Sequence, residues 1–492
     1  MSAATPLNDL IAGRAPDRDG YVRLDVTPDL WESLARGCAA GLHDLSSVWA
    51  DGGKVRMALN GDRQRAIVSL QTEDGAYPSV AALHAPAMRL ERALRDLYGV
   101  RPLGLPDERP WLDHGRWPGR ESDGRYAFLP VEGEGLHQIP VGPVHAGIIE
   151  PGHFRFTANG ETVVRLEERL GYVHKGVHLL LAGADLEHGA RIVGRISGDS
   201  TVAYAWAFAS AVEAALGWSV PPRALLLRAI MAELERLSHH ISDVGAICND
   251  ASVITMNARC MLQREDMLTV AKACFGHRMM MDRVVPGGVA VDLSSDGVGR
   301  IRSLLARLEA TRAEILRVYD SMPSLQDRTV TTGIVRPELA QQFAAGGYVG
   351  RASGRAFDAR KTFAYAPYDR LDFDLKTRGT GDVDARLLVR MDEIVESLKL
   401  VGVLLDRLEP GAIRSTALSL QAGEGAALIE AFRGDVFMDV RLDEAGRIAH
   451  VHARDASWFQ WPLLEAAIEG NIVADFPLCN KSFNCSYSGH DL

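Results

Sequence analysis

The segment PPRALLLRAIMAELERLSHHISDVGAI, residues 221–247, predicts the long helix around which the fold is organised. After the opening prolines, apolar residues recur at steps of three and four, as on one face of a helix: Leu226, Ile230, Leu234, Leu237, Ile241 and Val244. The same spacing predicts helices at 299–322, which stops at Pro323, and at 383–408. Several long amphipathic helices joined by short links are typical of a helical bundle.

Outside the bundle, alternating apolar residues predict β-hairpins. KVRMALN (54–60) and RAIVSLQ (65–71) flank Asn60-Gly61, and residues 154–167 turn at Asn159-Gly160. A further pair of strands is predicted within 434–454, and a helix over 86–99. The fold class is therefore α+β, with a small α/β domain and a Pro/Gly-rich linker arm over 1–125 and a mainly helical domain over 126–492.

Composition excludes several classes of protein. The 492 residues are 47% hydrophobic, and 54 basic against 64 acidic residues give a formal charge of −10. An acidic chain is not expected to bind nucleic acid generally. No apolar run is long enough for a membrane span, and the N-terminus shows no secretory pattern. The six cysteines are sparse and contain no CxxC, which argues against a disulfide framework or an all-cysteine zinc site and favours a reduced cytoplasmic setting.

Two groups of polar residues are candidate functional sites because of their residue types. The Gly/Pro-rich stretch 137–156 holds His137, His145, Glu150 and His153, which either build a polar site or cap turns. Glu233, Arg236 and His240 share one face of the 221–247 helix, as a proton relay or as a salt-bridged surface stripe.

One further pattern has two possible interpretations, and one class of binding site has no matching pattern. Asp382, Arg386 and Arg390 lie at helical steps of four and fit either an ion-paired or a simply capped helix start. Neither a phosphate-binding loop nor a dinucleotide fingerprint is present, so the residues give no nucleotide site.

Five strings carry a resemblance to a known family: GPVHAGIIEPGHFRF (142–156), LGYVHKGVH (170–178), GRISGDS (194–200), PGGV (286–289) and GDVDARLLVRMDEIVES (381–397). Together they resemble the large subunit of group-four nickel–iron hydrogenases and the 49-kDa subunit of respiratory complex I. RLERALRDLYGVRPLGLPD (89–107) resembles the 30-kDa subunit of complex I. The two are fused, as in the formate hydrogenlyase large subunit and hydrogenase-four component G.

The sequence departs from the family at the metal ligands. The resemblance implies two cysteine pairs, but the first pair is Ser197 and Ser200, and the second is Cys485 and Ser488. Nickel and iron centres of this kind need soft thiolate ligands, which serine does not replace. We therefore expect no metal and no other cofactor bound by this chain.

The resemblance also implies a pocket where the 154–167 hairpin, 195–200 and a strand-like tail over 475–490 meet. Arg195, Ser197, Gly198, Ser200, Cys485 and Ser488 would line it, with His145 or His153 as a donor to a quinone-like acceptor. Arg195, Glu233, His240 and Asp382 would form a proton relay with the pocket. At the positions that correspond to the donor turn and the tyrosine of complex I, this sequence has Pro151-Gly152 and Gly198. It therefore departs from the complex I pattern at both positions.

The implied function is a metal-free subunit of an oxidoreductase of the NADH-quinone type, at the inner face of the cell membrane. It would pass electrons from a [4Fe–4S] cluster in a partner iron–sulfur subunit to quinone, with ion movement in antiporter-like membrane partners. Any NADH site would lie on another subunit. One alternative is a non-catalytic scaffold that docks the iron–sulfur protein on the membrane module. The other is an active hydrogenase, which the missing thiolates disfavour.

Overall fold

The computed structural model describes residues 4–117, 126–145, 149–416 and 419–492. Its N-terminal part is a small sheet with helices packed on it. The elements in chain order are α1 (Leu7–Leu10), β1 (Tyr21–Asp25), α2 (Pro28–Ala39), β2 (Asp44–Asp51), β3 (Lys54–Asn60), β4 (Arg65–Gln71), β5 (Ala76–Pro78), α3 (Met88–Tyr98) and β6 (Arg101–Leu103). The α/β prediction for this part is confirmed.

The predicted hairpin forms the centre of that sheet. Strands run in the order β1-β4-β3-β2, with Asn60 opposite Arg65 at the turn. The helix predicted over 86–99 is α3, and Gly99 ends it with a positive φ of 71° that glycine adopts without strain. The predicted linker arm extends to residue 125, and its last eight residues lie outside the described ranges.

A three-stranded antiparallel sheet follows. It comprises β7 (Leu136–Val141), β8 (His153–Asn159) and β9 (Thr162–Arg169), in that order. Asn159 pairs with Thr162 across the predicted Asn-Gly turn, so this hairpin is also confirmed.

Helices dominate the next 240 residues. They are α4 (Val177–Leu181), α5 (Leu186–Val193), α6 (Thr201–Leu216), α7 (Pro222–Asp250), α8 (Ile254–Phe275), the small strands β10 (Val284–Val285) and β11 (Gly288–Val289), then α9 (Ser295–Asp320), α10 (Pro323–Thr329), α11 (Pro337–Gln342), α12 (Gly347–Ala352), α13 (Ala359–Thr362) and α14 (Val383–Asp406). The three predicted long helices correspond to α7, α9 and α14. Helix α7 packs against both α8 and α14. Its polar residues Glu233, Arg236 and His240 are therefore buried at the centre of the bundle.

The chain ends in a hairpin sheet and three helices. These are β12 (Gly423–Ala431), β13 (Gly434–Leu442), β14 (Ile448–Arg454), α15 (Ser457–Ile468), α16 (Phe476–Phe483) and α17 (Tyr487–Asp491). The strand-like prediction for 475–490 is wrong, because this tail is helical. Pro477 sits in the first turn of α16, and Phe476, Cys479 and Phe483 form one buried face at steps of three and four.

Buried polar contacts hold the N-terminal sheet to the rest of the molecule. Arg454 donates to the Ser46 carbonyl at 2.8 Å, and Ser47 hydrogen-bonds His452 at 2.7 Å. On another face, Arg89 of α3 forms ion pairs with Glu168 and Glu465. Among the described residues, no helix combines the length and apolar character needed to cross a membrane.

Candidate functional site

A polar cavity of about 330 Å³, open to solvent, lies between the segment after α5 and the C-terminal helices. Four of the predicted site residues line it: Ser197, Gly198, Cys485 and Ser488. The other lining residues are Ile149, Glu150, Asp199, Arg433, Asn480, Lys481, Asn484, Ser486 and Tyr487. We call this cavity the Ser–Cys pocket, after Ser197, Cys485, Ser486 and Ser488.

Two tight turns bring these side chains together across almost 290 residues. Ser197 precedes the short turn of 3₁₀ helix that leads into α6. Asn484 ends α16 in the left-handed conformation, with φ of 47°, and redirects the chain into the pocket wall. Ser486 then caps α17 by accepting from the Gly489 N–H at 2.9 Å. The Ser197 and Ser486 hydroxyls are 2.8 Å apart, which joins the two segments.

Arg433, which the sequence analysis did not predict, is a buried cation of this pocket. It lies in the tight turn between β12 and β13 and holds Asp199 in a two-pronged ion pair, with one nitrogen–oxygen distance of 2.9 Å. Burial alone would raise the pKa of Asp199, but the guanidinium outweighs it, and the pKa lies well below its usual range. The only hint in the sequence is a charged residue between two apolar strands.

Among the described residues, Cys485 is the one thiol that lines the pocket. Its side chain is buried, and burial, with the Glu168 carboxylate next, raises the pKa of the thiol well above 9. At neutral pH it is therefore a neutral hydrogen-bonding group rather than a thiolate.

Four predicted pocket residues take other positions. Arg195 lies on the surface, where it pairs with Asp282 at 2.6 Å. Ser200 is fully buried behind the pocket and accepts from Arg433 at 3.2 Å. His145 donates to the Gly152 carbonyl at 2.7 Å and His153 to the Gly142 carbonyl at 3.3 Å. The two histidines thus join residues 142 and 145 to residues 152 and 153 at the start of β8.

The row predicted on α7 is part of a buried charge network rather than a surface stripe. Glu233 accepts from Arg360 at 2.8 Å and from Ser397 at 2.6 Å, and it pairs with Arg236 at 3.4 Å. His240 donates to Glu393 at 2.8 Å. We call the following set the charge network: Glu233, Arg236, His240, Arg351, Asp358, Arg360, Glu393 and Glu430.

The charge network contacts the hairpin that carries Arg433. Arg236 donates to the backbone carbonyls of Glu430 and Ala431, both at 2.9 Å. Burial, followed by the nearby Asp358 carboxylate, raises the pKa of Glu430 to about 7. Glu430 lies three residues before Arg433, beside the turn of this hairpin.

Asp382 has a different environment. It caps α14 by accepting from the Ala385 N–H at 2.8 Å, and it also accepts from the Thr331 N–H at 2.9 Å. Arg386 donates to Ser482 and to backbone carbonyls instead of Asp382. Of the two possibilities for this helix start, the structure has the capped one.

Comparisons with known proteins define the class of this chain. The sequence matches the family "Respiratory-chain NADH dehydrogenase, 49 Kd subunit" over residues 250–422 and "Respiratory-chain NADH dehydrogenase, 30 Kd subunit" over residues 33–123. The fold is similar to a chain of an archaeal membrane-bound sulfane sulfur reductase (MBS), with a TM-score of 0.69 and 24% identity. That similarity covers 74% of this chain and all of the other.

Curated relatives give the more particular assignment. The chain is 31% identical to formate hydrogenlyase subunit 5 of Escherichia coli over 86% of its own length and 78% of that protein. It is 31% identical to the carbon monoxide-induced hydrogenase of Rhodospirillum rubrum, over 71% of this chain and 97% of that protein. A fused NADH-quinone oxidoreductase protein of Phocaeicola vulgatus is 27% identical over 78% of this chain and 81% of that protein. The chain belongs to the family of 49-kDa-type and hydrogenase large subunits, in the form fused to a 30-kDa-type domain.

The residues of the Ser–Cys pocket do not fit a nickel–iron centre. Ser197, Ser200 and Ser488 offer hydroxyls, so Cys485 is the one thiol at the four positions that correspond to the family's metal ligands. Among the residues that the structure describes, no group of three or more His, Cys, Asp or Glu side chains is arranged to hold a metal ion. Hydroxyl-rich donor sets do not replace soft thiolates.

Proposed function

We propose that this chain is the acceptor-binding subunit of a membrane-associated oxidoreductase complex related to complex I. An iron–sulfur subunit, with its [4Fe–4S] cluster, would dock beside the Ser–Cys pocket and reduce a quinone-like molecule there. Antiporter-like membrane subunits would complete the complex and couple electron transfer to ion movement. Peripheral attachment at the inner face of the cell membrane follows from that assembly.

The observation that carries the proposal is the convergence of neutral hydrogen-bonding groups in one open cavity. Ser197, Cys485, Ser486 and Ser488 line the same space together with Arg433. The Ser197 hydroxyl donates to Asp199 at 2.7 Å and accepts from Ser486 at 2.8 Å, so the Cys485 thiol and the Ser488 hydroxyl are the groups that keep a hydrogen for a ligand. A quinone carbonyl accepts hydrogen bonds from such groups. The Arg433 guanidinium, which is paired with Asp199, would also stabilise the negative charge that develops on a reduced carbonyl.

Proton supply is the second part of the proposal. Arg236 joins the charge network to the hairpin of Arg433, and Glu233 and His240 lie within that network. Burial raises the pKa of Glu430 to about 7, and this residue lies three positions before Arg433, which supports a relay between the charge network and the pocket. In this relay Asp382 positions α14, and Arg195 has no place, since its guanidinium lies on the surface.

The decisive experiment uses the purified complex with its iron–sulfur partner. The cluster is reduced, a short-chain quinone is added, and cluster reoxidation is followed by EPR. In the Ser197→Trp complex the indole fills the pocket, and reoxidation should stop. Ser303→Trp, at an exposed position on α9, is the matched control and should reoxidise at the wild-type rate.

Reoxidation that is unaffected by Ser197→Trp would contradict quinone binding here. That outcome would favour the scaffold function, in which the chain docks the iron–sulfur protein on the membrane module without chemistry of its own. Because the pocket offers hydroxyls and a single thiol instead of four thiolates, it does not favour a nickel–iron centre or hydrogen activation.

A further inference from the structure

The Ser–Cys pocket offers little apolar surface to a ligand. Among the described residues that line it, Ile149 and Tyr487 are the ones with a large apolar side chain, and Ile149 is 40% exposed. The apolar cavity beside Trp49 and His452 shares no lining residue with the pocket. A lipid tail is stabilised where apolar side chains remove it from water. The described lining of the pocket therefore gives a lipid tail no favourable place.

The size of the pocket leads to the same conclusion. Its volume of about 330 Å³ lies at the small end of the range for ligand pockets, roughly 300–1,000 Å³. A ring system with a small substituent fits such a volume, and a long tail does not. Because the pocket is open to solvent, a ligand of that size can enter it directly from water.

Lys481 is a pocket cation without an ion-pair partner. Four charged side chains line the pocket: Glu150, Asp199, Arg433 and Lys481. Arg433 and Asp199 neutralise each other, and Glu150 accepts from the Ser488 backbone N–H at 3.1 Å. Lys481, half-buried on α16, forms no ion pair or hydrogen bond with the described residues. An anionic ligand group would therefore find an unpaired ammonium in the pocket wall.

The carboxylates around Lys481 leave this role open. Burial raises the pKa of Asp250, at the end of α7, and the Lys481 ammonium lowers it, but the two groups form no ion pair. Glu150 is exposed and lines the same pocket, where it repels an anion. Lys481 and Glu150 should therefore have opposite effects on the binding of an anionic ligand.

We propose that the acceptor of the Ser–Cys pocket is a water-soluble anion: a quinone-like ring without a lipid tail, whose acidic substituent pairs with the Lys481 ammonium. This inference rests on the proposed function and names its substrate class. Cys485 and Ser488 donate to the ring carbonyl, since they keep a hydrogen for a ligand. Lys481 selects the acceptor by its charge, and the same charge keeps the acceptor in water rather than in the membrane.

The test compares acceptors that share one ring system, in the purified complex with its iron–sulfur partner. Menadione is neutral, and naphthoquinone sulfonate carries one negative charge. Because the two differ in redox potential, the quantity to follow is the ratio of their kcat/KM values in each variant relative to the wild type. Intrinsic differences between the two quinones cancel in that comparison.

Lys481→Gln should lower this ratio of anionic to neutral acceptor by about tenfold, as expected for a charged hydrogen bond. The loss should appear mainly in KM, and Lys481→Arg should restore most of the ratio. Glu150→Gln should raise the ratio, because it removes a negative charge from the same lining.

Lys272→Gln, at an exposed position on α8, is the matched control. It changes the net charge of the chain by the same amount as Lys481→Gln and should leave the ratio at the wild-type value. A ratio that is unchanged in Lys481→Gln, or lowered equally in both variants, would overturn the role of Lys481.

The absence of a lipid tail is tested with the same ring. Adding an isoprenoid chain to menadione should not lower its KM, because the described lining has no apolar wall for the chain. A KM that falls steeply with chain length would overturn the water-soluble acceptor. A wild-type complex that reduces menadione but not naphthoquinone sulfonate would overturn it as well.

The two proposals fail in distinguishable ways. If Ser197→Trp leaves cluster reoxidation intact with both quinones, the acceptor site itself is misplaced. If Ser197→Trp stops reoxidation and Lys481→Gln leaves the ratio unchanged, the acceptor site stands and the anionic substrate class is wrong.

Discussion

The Ser–Cys pocket and the charge network lie side by side and have opposite chemical character. The pocket is open and is lined by hydroxyls, a thiol and amides together with the charged residues Glu150, Asp199, Arg433 and Lys481. The network is closed to solvent and alternates cations and anions, with Arg351 between Glu393 at 2.7 Å and Glu430 at 2.9 Å. The difference indicates that the uncharged pocket residues can change with less cost to folding than the network residues.

The physical reason is the cost of a buried charge. An ion pair removed as a whole can be replaced by apolar packing, but removing one partner leaves an uncompensated charge in a poorly polarisable interior. An uncharged hydroxyl or thiol leaves no uncompensated charge when a neighbour is lost, so its loss costs less. Substitutions in the charge network should therefore mainly lower the stability of the fold, and substitutions in the Ser–Cys pocket should mainly lower turnover.

The largest effect on folding is expected for Arg351→Ala. The change leaves Glu393, Glu430 and Asp358 buried without their shared cation, and should destabilise the chain by about 3–5 kcal/mol. Denaturant unfolding of the purified protein measures it. The matched control is Arg195→Ala, which breaks the surface pair with Asp282 and should cost under about 1 kcal/mol. Equal losses for the two variants would contradict the contrast between buried and exposed pairs.

A smaller effect is expected where a single acid is buried between the two domains. Asp439 is fully buried with no hydrogen-bond partner among the described residues, and burial raises its pKa to about 6. The folded state thus binds a proton that the unfolded state releases near pH 4, so this group lowers stability as pH rises from about 4 to 6. At pH 7.5, Asp439→Asn should raise the free energy of unfolding by roughly 1–3 kcal/mol and so raise the melting temperature. At pH 4 it should change neither.

Arg56 remains paired with Asp51 and Glu424 in that variant, so it gains no new unpaired charge. A melting temperature that changes equally at both pH values would show that Asp439 does not titrate between them.

The smallest effect is expected at Cys485. Because its thiol stays neutral, a serine hydroxyl should replace it as a hydrogen-bond donor, and Cys485→Ser should keep turnover within about threefold. Alkylation of Cys485 in the wild-type complex should be slow at pH 7, as expected for a protonated thiol. Rapid alkylation, or loss of turnover in the serine variant, would assign the thiol a reactive role.

Local patterns predicted much of the fold and only part of the site. The helices α7, α9 and α14 and two hairpins follow from apolar spacing and Asn-Gly turns, which are properties of neighbouring residues. The strand-like tail over 475–490 came from the resemblance rather than from a local pattern, and it is wrong, because Phe476, Cys479 and Phe483 form one buried face of a helix. The resemblance placed Ser197, Cys485 and Ser488 in one pocket, as the structure does.

What sequence reasoning missed depends on contacts between distant segments. Asp199 and Arg433 are 234 positions apart, and Glu233 meets Arg360 across 127 positions. Neither spacing follows a helix or strand repeat, so neither pair can be recognised from a single sequence. Whether Arg236 and His240 lie on a solvated or a buried face was also undecidable, since α7 is covered by helices on several sides.

The measurement that tests the central claim most directly is photolabelling of the assembled complex with a light-activated short-chain quinone. We expect labelled peptides from 197–199 and 484–488, and excess unlabelled quinone should abolish the labelling. Competed labelling elsewhere, for example in the apolar cavity beside Trp49 and His452, would contradict the account. The quinone site would then lie outside the Ser–Cys pocket.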